Sequence, residues 1–277
     1  MSKQPIKIGV VAPACRLDPI VAEQVLAIAA ESYPDDRVRI MIHPQCFLSD
    51  GHFAGDDAAR AAAFLEVAND PAIDAVWFAR GGYGSCRILE AVIPHLKPTA
   101  AAKTYLGYSD MGSLLAGMHG LGFANLAHGP MVSDIRRGGG EAAVKRALAW
   151  LVDRDPAALE PSLVPGQKAA AFNLTILSAL LGTPFEPDLT GHVLMLEEVA
   201  EHMYRIDRTL FHVTSNPSIR RLAGIRLGRC SDIPPNDPDF RHTEEQVIAY
   251  WCERSGIPYL GRADIGHDAD NRVVPFG

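Results

Sequence analysis

Apolar and polar positions follow a repeating two-part rhythm through the first half of the chain. A continuous apolar run over 6–11, closed by Ala12-Pro13, predicts a buried strand, and helical spacing over 20–30 predicts a helix after it. The pattern recurs as strand 38–42 with helix 58–67, then strand 75–78 with the turn Arg80-Gly81-Gly82-Tyr83-Gly84 and helix 87–95. It continues with strand 105–108 and helix 112–119, then a fifth strand over 123–126 and a helix over 141–152. Strands alternating with helices imply a parallel sheet covered on both faces. Residues 153–168 carry three prolines and no apolar period, which predicts a linker. Beyond it the pattern predicts helix 174–181, strand 192–196, helix 203–213, strand 224–227, helix 244–254 and a short strand at 259–260. The expected fold class is therefore α/β. A flavodoxin-like parallel sheet covered by helices occupies residues 1–152, and a smaller mixed α/β domain occupies 169–277.

Composition narrows the function classes. With 277 residues, 48% of them hydrophobic and 21% charged, the chain can bury a substantial core as an ordinary globular protein. A formal net charge of -7 disfavours nucleic acid or an anionic membrane as a general partner. No apolar run approaches the length of a bilayer span, and Met1-Ser2-Lys3-Gln4-Pro5 leads straight into the first strand, without room for a signal peptide. The five cysteines, Cys15, Cys46, Cys86, Cys230 and Cys252, are odd in number and contain no Cys-x-x-Cys pair. They read as small buried hydrophobes of a reducing compartment, not as a disulfide framework or zinc knuckle.

Candidate chemistry gathers at strand ends, where open parallel sheets bind their ligands. Thr104 to Leu115 reads as strand, sharp turn and helix, with Ser109 at the turn after Gly107-Tyr108. That is the layout of a nucleophile elbow, and the following helix aims free N–H groups at the same spot. Ser109-Asp110 also suits a simple cap for the helix. The second turn, Arg80-Gly81-Gly82-Tyr83-Gly84, allows its backbone to present N–H groups to an oxyanion, or merely to turn tightly. It lacks the Gly-x-Gly-x-x-Gly fingerprint and the P-loop Lys-Ser/Thr, so a nucleotide is a poor fit.

A serine nucleophile needs a base and an orienting group. Among ten histidines, His267 stands out in a polar loop, Gly266-His267-Asp268-Ala269-Asp270, after a short strand. Glu197 and Glu198 end an apolar strand, where a buried acid needs a partner. Either suits the orienting role, and both also suit the start of a helix. Metal chemistry fits less well: there is no His-Glu-x-x-His, Glu198 and His202 form only one i,i+4 pair, and Asp264, Asp268 and Asp270 do not match an EF-hand loop.

These residues lie in motifs whose order resembles the LD-carboxypeptidases, serine peptidases of murein recycling whose relatives include the microcin C immunity proteins. The matching stretches are Ile8-Gly9-Val10-Val11-Ala12-Pro13, Ala79-Arg80-Gly81-Gly82-Tyr83-Gly84, Leu106-Gly107-Tyr108-Ser109-Asp110, His128-Gly129-Pro130-Met131, Leu196-Glu197-Glu198, Tyr204-Arg205-Ile206-Asp207-Arg208 and Gly266-His267. The resemblance implies Ser109 as nucleophile, His267 as base and Glu197 as third member, with Glu198 the nearest alternative. It places the oxyanion hole at the backbone N–H groups of Gly82 and Asp110. Two departures stand out. Ala171-Phe172-Asn173-Leu174 replaces the usual Gly-Gly-Asn-Leu, and the chain stops at Pro275-Phe276-Gly277 where relatives often continue.

The resemblance implies a cytoplasmic, homodimeric serine carboxypeptidase without cofactor or metal, releasing terminal D-alanine from murein tetrapeptides. Arg80 is the candidate for the terminal carboxylate, since arginine matches that geometry. The rivals are an amidase acting on microcin C-type antibiotics, with Trp77 or Trp251 as base platform, a non-catalytic small-ligand-binding protein, and a metal hydrolase centred on His267.

Overall fold

The apolar runs of the first half form five strands of a six-stranded sheet in the computed structural model, which describes residues 4–277. The strands are β1 (Ile6–Val11), β2 (Val38–Ile42), β3 (Ala75–Phe78), β4 (Thr104–Leu106) and β5 (Leu126–His128). They pair in parallel in the order β5-β4-β3-β1-β2, the flavodoxin-like arrangement. Helices α1 (Pro19–Ser32), α2 (Asp57–Asn69), α3 (Leu89–Val92), α4 (Pro98–Ala101), α5 (Gly112–Gly120) and α6 (Gly140–Asp153) lie along this half.

Strand side chains alternate faces, and the core divides accordingly. Ile8, Val10, Ala75 and Trp77 pack with Val21 and Val25 of α1 and Val144 and Leu148 of α6. Val11, Val76, Phe78 and Tyr105 pack on the opposite face with Phe64 of α2 and Leu114 and Met118 of α5. Local signals set the helix ends. Asp18 caps α1 through a 3.1 Å bond from the Ile20 N–H, with Pro19 at the first position, where it forfeits no hydrogen bond.

The second half forms a four-stranded, fully parallel sheet in the order β6-β7-β8-β9. Its strands are β6 (Ala169–Asn173), β7 (Val193–Val199), β8 (Gly224–Ser231) and β9 (Tyr259–Arg262). Its helices are α7 (Leu174–Leu180), α8 (Met203–Ser215) and α9 (Glu244–Ser255). Phe172, Leu174 and Leu177 join the same core cluster as Leu114 and Met118, so the two sheets share apolar packing. The last strand, β10 (Val274–Pro275), returns to the first sheet and pairs antiparallel with β5.

Some expectations need correction. The helix expected over 87–95 is broken into a 3-10 turn (Ser85–Ile88), α3 and a second 3-10 turn (Ile93–His95), the last with Pro94 near its start, where no N–H is available. The fifth strand begins at Leu126 rather than ending there. Strand β6 was not expected because Ala169-Ala170-Ala171 has little strand propensity; burial against β7 overrides it. The departure at Ala171-Phe172 is thus a buried strand, with Phe172 against Phe276 at 5.2 Å between ring centroids.

Candidate active site

Ser109 sits where β4 hands over to α5. Tyr108 is extended at φ -148, Ser109 takes a left-handed φ of 58, and a 3-10 turn (Ser109–Met111) leads into the helix. A non-glycine residue held there is strained and persists only where its surroundings fix it. One surrounding element is the double-glycine loop: a Cβ at Gly81 would stand 3.0 Å from Ser109 Oγ. Gly82, at φ 84, exploits the freedom of glycine, and a Cβ there would meet Cys15 Sγ at 2.5 Å. Asp110 ties the elbow to the end of that loop, its buried carboxylate accepting the Ser85 N–H at 2.5 Å. Burial raises the Asp110 pKa, and the Ser85 bonds only partly offset this. The N–H groups of Gly82 and Asp110 donate to no loop or turn carbonyl among the described residues.

Glu197 and His267 come from the other sheet, on β7 and in the loop after β9. His267 Nδ1 lies 2.5 Å from Glu197 Oε2. A carboxylate only accepts, so the ring donates from Nδ1 and keeps its Nε2 lone pair free. Glu197 is completely buried, and its Oε1 has no protein partner among the described residues. Burial opposes charging His267, but the charge of Glu197 and its hydrogen bond outweigh this and hold the pKa above the ordinary value. Ser109, His267, Arg80, Gly81, Gly82 and Arg137 line one small pocket of about 120 Å³. No hydrogen bond joins Ser109 to His267 directly among the described residues.

Glu198 points the other way. Its carboxylate accepts from Asn173 Nδ2 (2.7 Å), the Thr175 N–H (3.0 Å) and Thr175 Oγ1 (2.7 Å), fastening β7 to the start of α7. Two of the acids near His267 are engaged elsewhere, Arg229 pairing with Asp264 and Asp268, and Asp270 is exposed. Among the described residues no group of three or more His, Cys, Asp or Glu side chains is arranged to hold a metal. Trp77 is fully buried with its Nε1 on the Pro130 carbonyl, so it offers no platform. Trp251 bonds Asp207 at 2.6 Å and lines a separate cavity with Tyr250 and Phe240.

Sequence reasoning missed the support around the histidine. The Tyr108 ring packs 4.9 Å from His267 and 5.4 Å from His128. Its hydroxyl donates to Asp134 Oδ1 (2.9 Å) and accepts from Arg137 Nη2 (3.1 Å), and Arg137 Nε also reaches Asp134. His128 bonds Asn271 Oδ1, which also accepts the Gly266 N–H beside His267. Burial pushes the His128 pKa down to about 3, so it stays neutral. The motif His128-Gly129-Pro130-Met131 was the only signal for this region, because it marks the loop leading to Asp134.

Residues 8–129 match the LD-carboxypeptidase N-terminal domain and residues 169–277 the LD-carboxypeptidase C-terminal domain. The chain is 30% identical over 280 residues to a Bacillus subtilis protein named "Probable murein peptide carboxypeptidase", covering 98% of this chain and 86% of that one. It is 28% identical over 227 residues to the murein tetrapeptide carboxypeptidase of Pseudomonas aeruginosa, covering 75% and 71% of the two chains. The fold is similar to that of muramoyltetrapeptide carboxypeptidase from Oxalobacter formigenes, with a TM-score of 0.80 at 22% identity over 98% of this chain and 92% of that one. The microcin C7 self immunity protein MccF gives 0.79 at 16% identity over 100% and 92%. With both domains matched in order and a relative at 30% identity spanning nearly its whole length, the chain belongs to the LD-carboxypeptidase family.

Proposed function

We propose that this protein is a serine LD-carboxypeptidase that releases terminal D-alanine from murein tetrapeptides, with Ser109, His267 and Glu197 as its triad. The observation that carries the reading is the meeting of three features from two sheets at one pocket: the strained Ser109 elbow, the double-glycine loop packed on it, and His267 bound to a buried carboxylate. Ser109 Oγ attacks the carbonyl of the diamino acid while His267 Nε2 takes its proton. His267 then gives that proton to the amine of the departing D-alanine, and water releases the acyl group by the reverse sequence. Glu197 holds the tautomer and stabilises the imidazolium. Serine–histidine bonds that are open in a free enzyme tighten once substrate is seated. The N–H groups of Gly82 and Asp110 stabilise the oxyanion. Arg80, exposed at the rim of the pocket, takes the terminal carboxylate.

The names of the Bacillus and Pseudomonas relatives support the substrate class. The family resemblance supports a cytoplasmic homodimer, and no helix among the described residues is long and apolar enough to cross a membrane. In this reading residues 1–152 carry the nucleophile and 169–277 supply acid and base. The test is release of the C-terminal alanine from a purified tetrapeptide, measured beside the isomer that ends in L-alanine. Release from the LD peptide alone is expected; no release from either overturns the reading.

A further inference from the structure

A groove of about 290 Å³ adjoins the catalytic pocket and shares Arg80 with it. Its other walls carry Arg16, from the loop after β1, and Arg136, from the turn after β5, both exposed. Arg80 follows β3, so the groove opens at the carboxyl ends of β1 and β3. In the strand order β5-β4-β3-β1-β2 the chain reverses direction between those two strands, the crevice where open α/β sheets take their ligands.

Arg16, Arg80 and Arg136 form no ion pair among the described residues, although Arg137, Arg205 and Arg229 all do. Arg80 instead donates to the Arg16 carbonyl at 3.4 Å, which draws the two loops together. Asp18, the one acid lining the groove, is engaged by the Ile20 N–H. Three arginines thus line one crevice with no carboxylate among the described residues paired to any of them, Asp18 included, an excess of positive charge that a bound anion would offset. Phe47 and Pro19 add an apolar wall suited to a methylene chain.

Resting on the reading above, we propose that Arg16 and Arg136 form a second anion subsite, which binds a substrate carboxylate remote from the scissile bond. The terminal carboxylate is one residue past that bond. A residue advances the chain by at most about 3.6 Å, so that group stays beside Ser109. The groove adjoins that pocket through Arg80 and suits an acidic group carried on a flexible arm of the acyl side. A murein tetrapeptide offers two: the far carboxylate of a diaminopimelate side chain, and the free α-carboxylate of the γ-linked glutamyl residue.

The test compares wild type, Arg16→Gln, Arg136→Gln and the matching lysine variants on three tetrapeptides. One is complete, one has lysine in place of diaminopimelate, and one has the glutamyl carboxylate amidated. On the complete peptide each glutamine variant should raise KM about tenfold, as loss of a charged hydrogen bond does, with kcat within about threefold. Lysine, which keeps the charge but not the fork, should fall between. The peptide lacking the recognised carboxylate should show a raised KM in wild type and no further rise in the variants, which identifies the group. A KM unmoved by both substitutions, or raised equally on all three peptides, overturns the subsite while leaving the reaction standing. No D-alanine release by wild type overturns the reaction and the subsite with it.

Discussion

Glu197 and His267 are 70 residues apart in sequence, yet Oε2 and Nδ1 meet at 2.5 Å. The parallel second sheet makes this possible, because it puts the carboxyl ends of β7 and β9 on one edge. The neighbouring Glu198 faces the opposite side and fastens Asn173 and Thr175. The two acids should therefore fail differently. Glu197→Gln should lower kcat by about 10³–10⁴, since an amide loses the charge and can hold the wrong tautomer. Glu198→Gln should instead lower the melting temperature by several degrees and spare kcat per folded molecule, because an amide nitrogen cannot accept the bonds that Glu198 accepts. Kinetics and thermal unfolding of both variants, side by side, make the check. A dead but stable Glu198→Gln would move the orienting role one residue along.

The acid limb of the pH–rate profile should lie above the ordinary histidine value of about 6.5. As the proposed base, His267 must be neutral to accept the Ser109 proton, and Glu197 favours its charged form more than burial opposes it. Activity therefore falls as pH drops through a raised pKa, and is fully present only above it. Glu197→Gln removes that attraction and should move the residual limb to lower pH. His128 cannot supply the limb, since burial keeps it neutral down to about pH 3. A limb in the carboxylate range, or none between about pH 5 and 8, would count against a histidine base.

Replacing Ser109 should separate chemistry from stability. Ser109→Ala and Ser109→Gly should both abolish D-alanine release. Glycine accepts the left-handed φ of 58 without the Cβ penalty that alanine keeps. Ser109→Gly should therefore melt no lower than Ser109→Ala. The reverse order would mean that Ser109 is not held in that conformation in solution.

The sequence made the nucleophile side of the site more legible than its supports. A short apolar run and the Gly-Tyr-Ser-Asp turn mark Ser109 locally, because an elbow is a short-range structure. Glu197 and His267 were visible as an acid at a strand end and a histidine in a loop, but their contact depends on strand order, which periodicity does not encode. The Tyr108–Asp134–Arg137 network was invisible because each residue has an ordinary local role: a strand end, a turn cap and a surface arginine. Strands β6 and β10 were hidden for another reason. An alanine run and a two-residue strand carry almost no local signal, and tertiary pairing alone makes them strands.

Tyr108→Phe should test that network. The ring contact to His267 survives, but Asp134 and Arg137 lose the hydroxyl between them. Leaving a buried acceptor short of one bond costs about 1–3 kcal/mol, which lowers the melting temperature by several degrees in a chain of this size. kcat should fall less than in Glu197→Gln. A stability equal to wild type would show that Asp134 is satisfied without Tyr108.

Gly82→Ala should damage the proposed oxyanion donor by two separable routes. The new Cβ would stand 2.5 Å from Cys15 Sγ, and alanine at φ 84 is strained whatever space it has. Either effect turns the Gly82 N–H away from Ser109, and loss of one oxyanion donor costs about 10²–10³ in kcat. KM should change less, because the donor acts mainly on the charge that develops during attack. Adding Cys15→Ala to Gly82→Ala removes the sulfur and leaves the Cβ of residue 15, at 3.4 Å, as the nearest contact. The double variant should regain part of the lost activity and melting temperature, and what stays lost measures the backbone strain. Cys15→Ala alone should leave kcat close to wild type, since its buried thiol has its pKa raised and is no nucleophile in this reaction. If Gly82→Ala kept full kcat, the double-glycine loop would not supply an oxyanion donor, and the second N–H beside that of Asp110 would have to come from another residue.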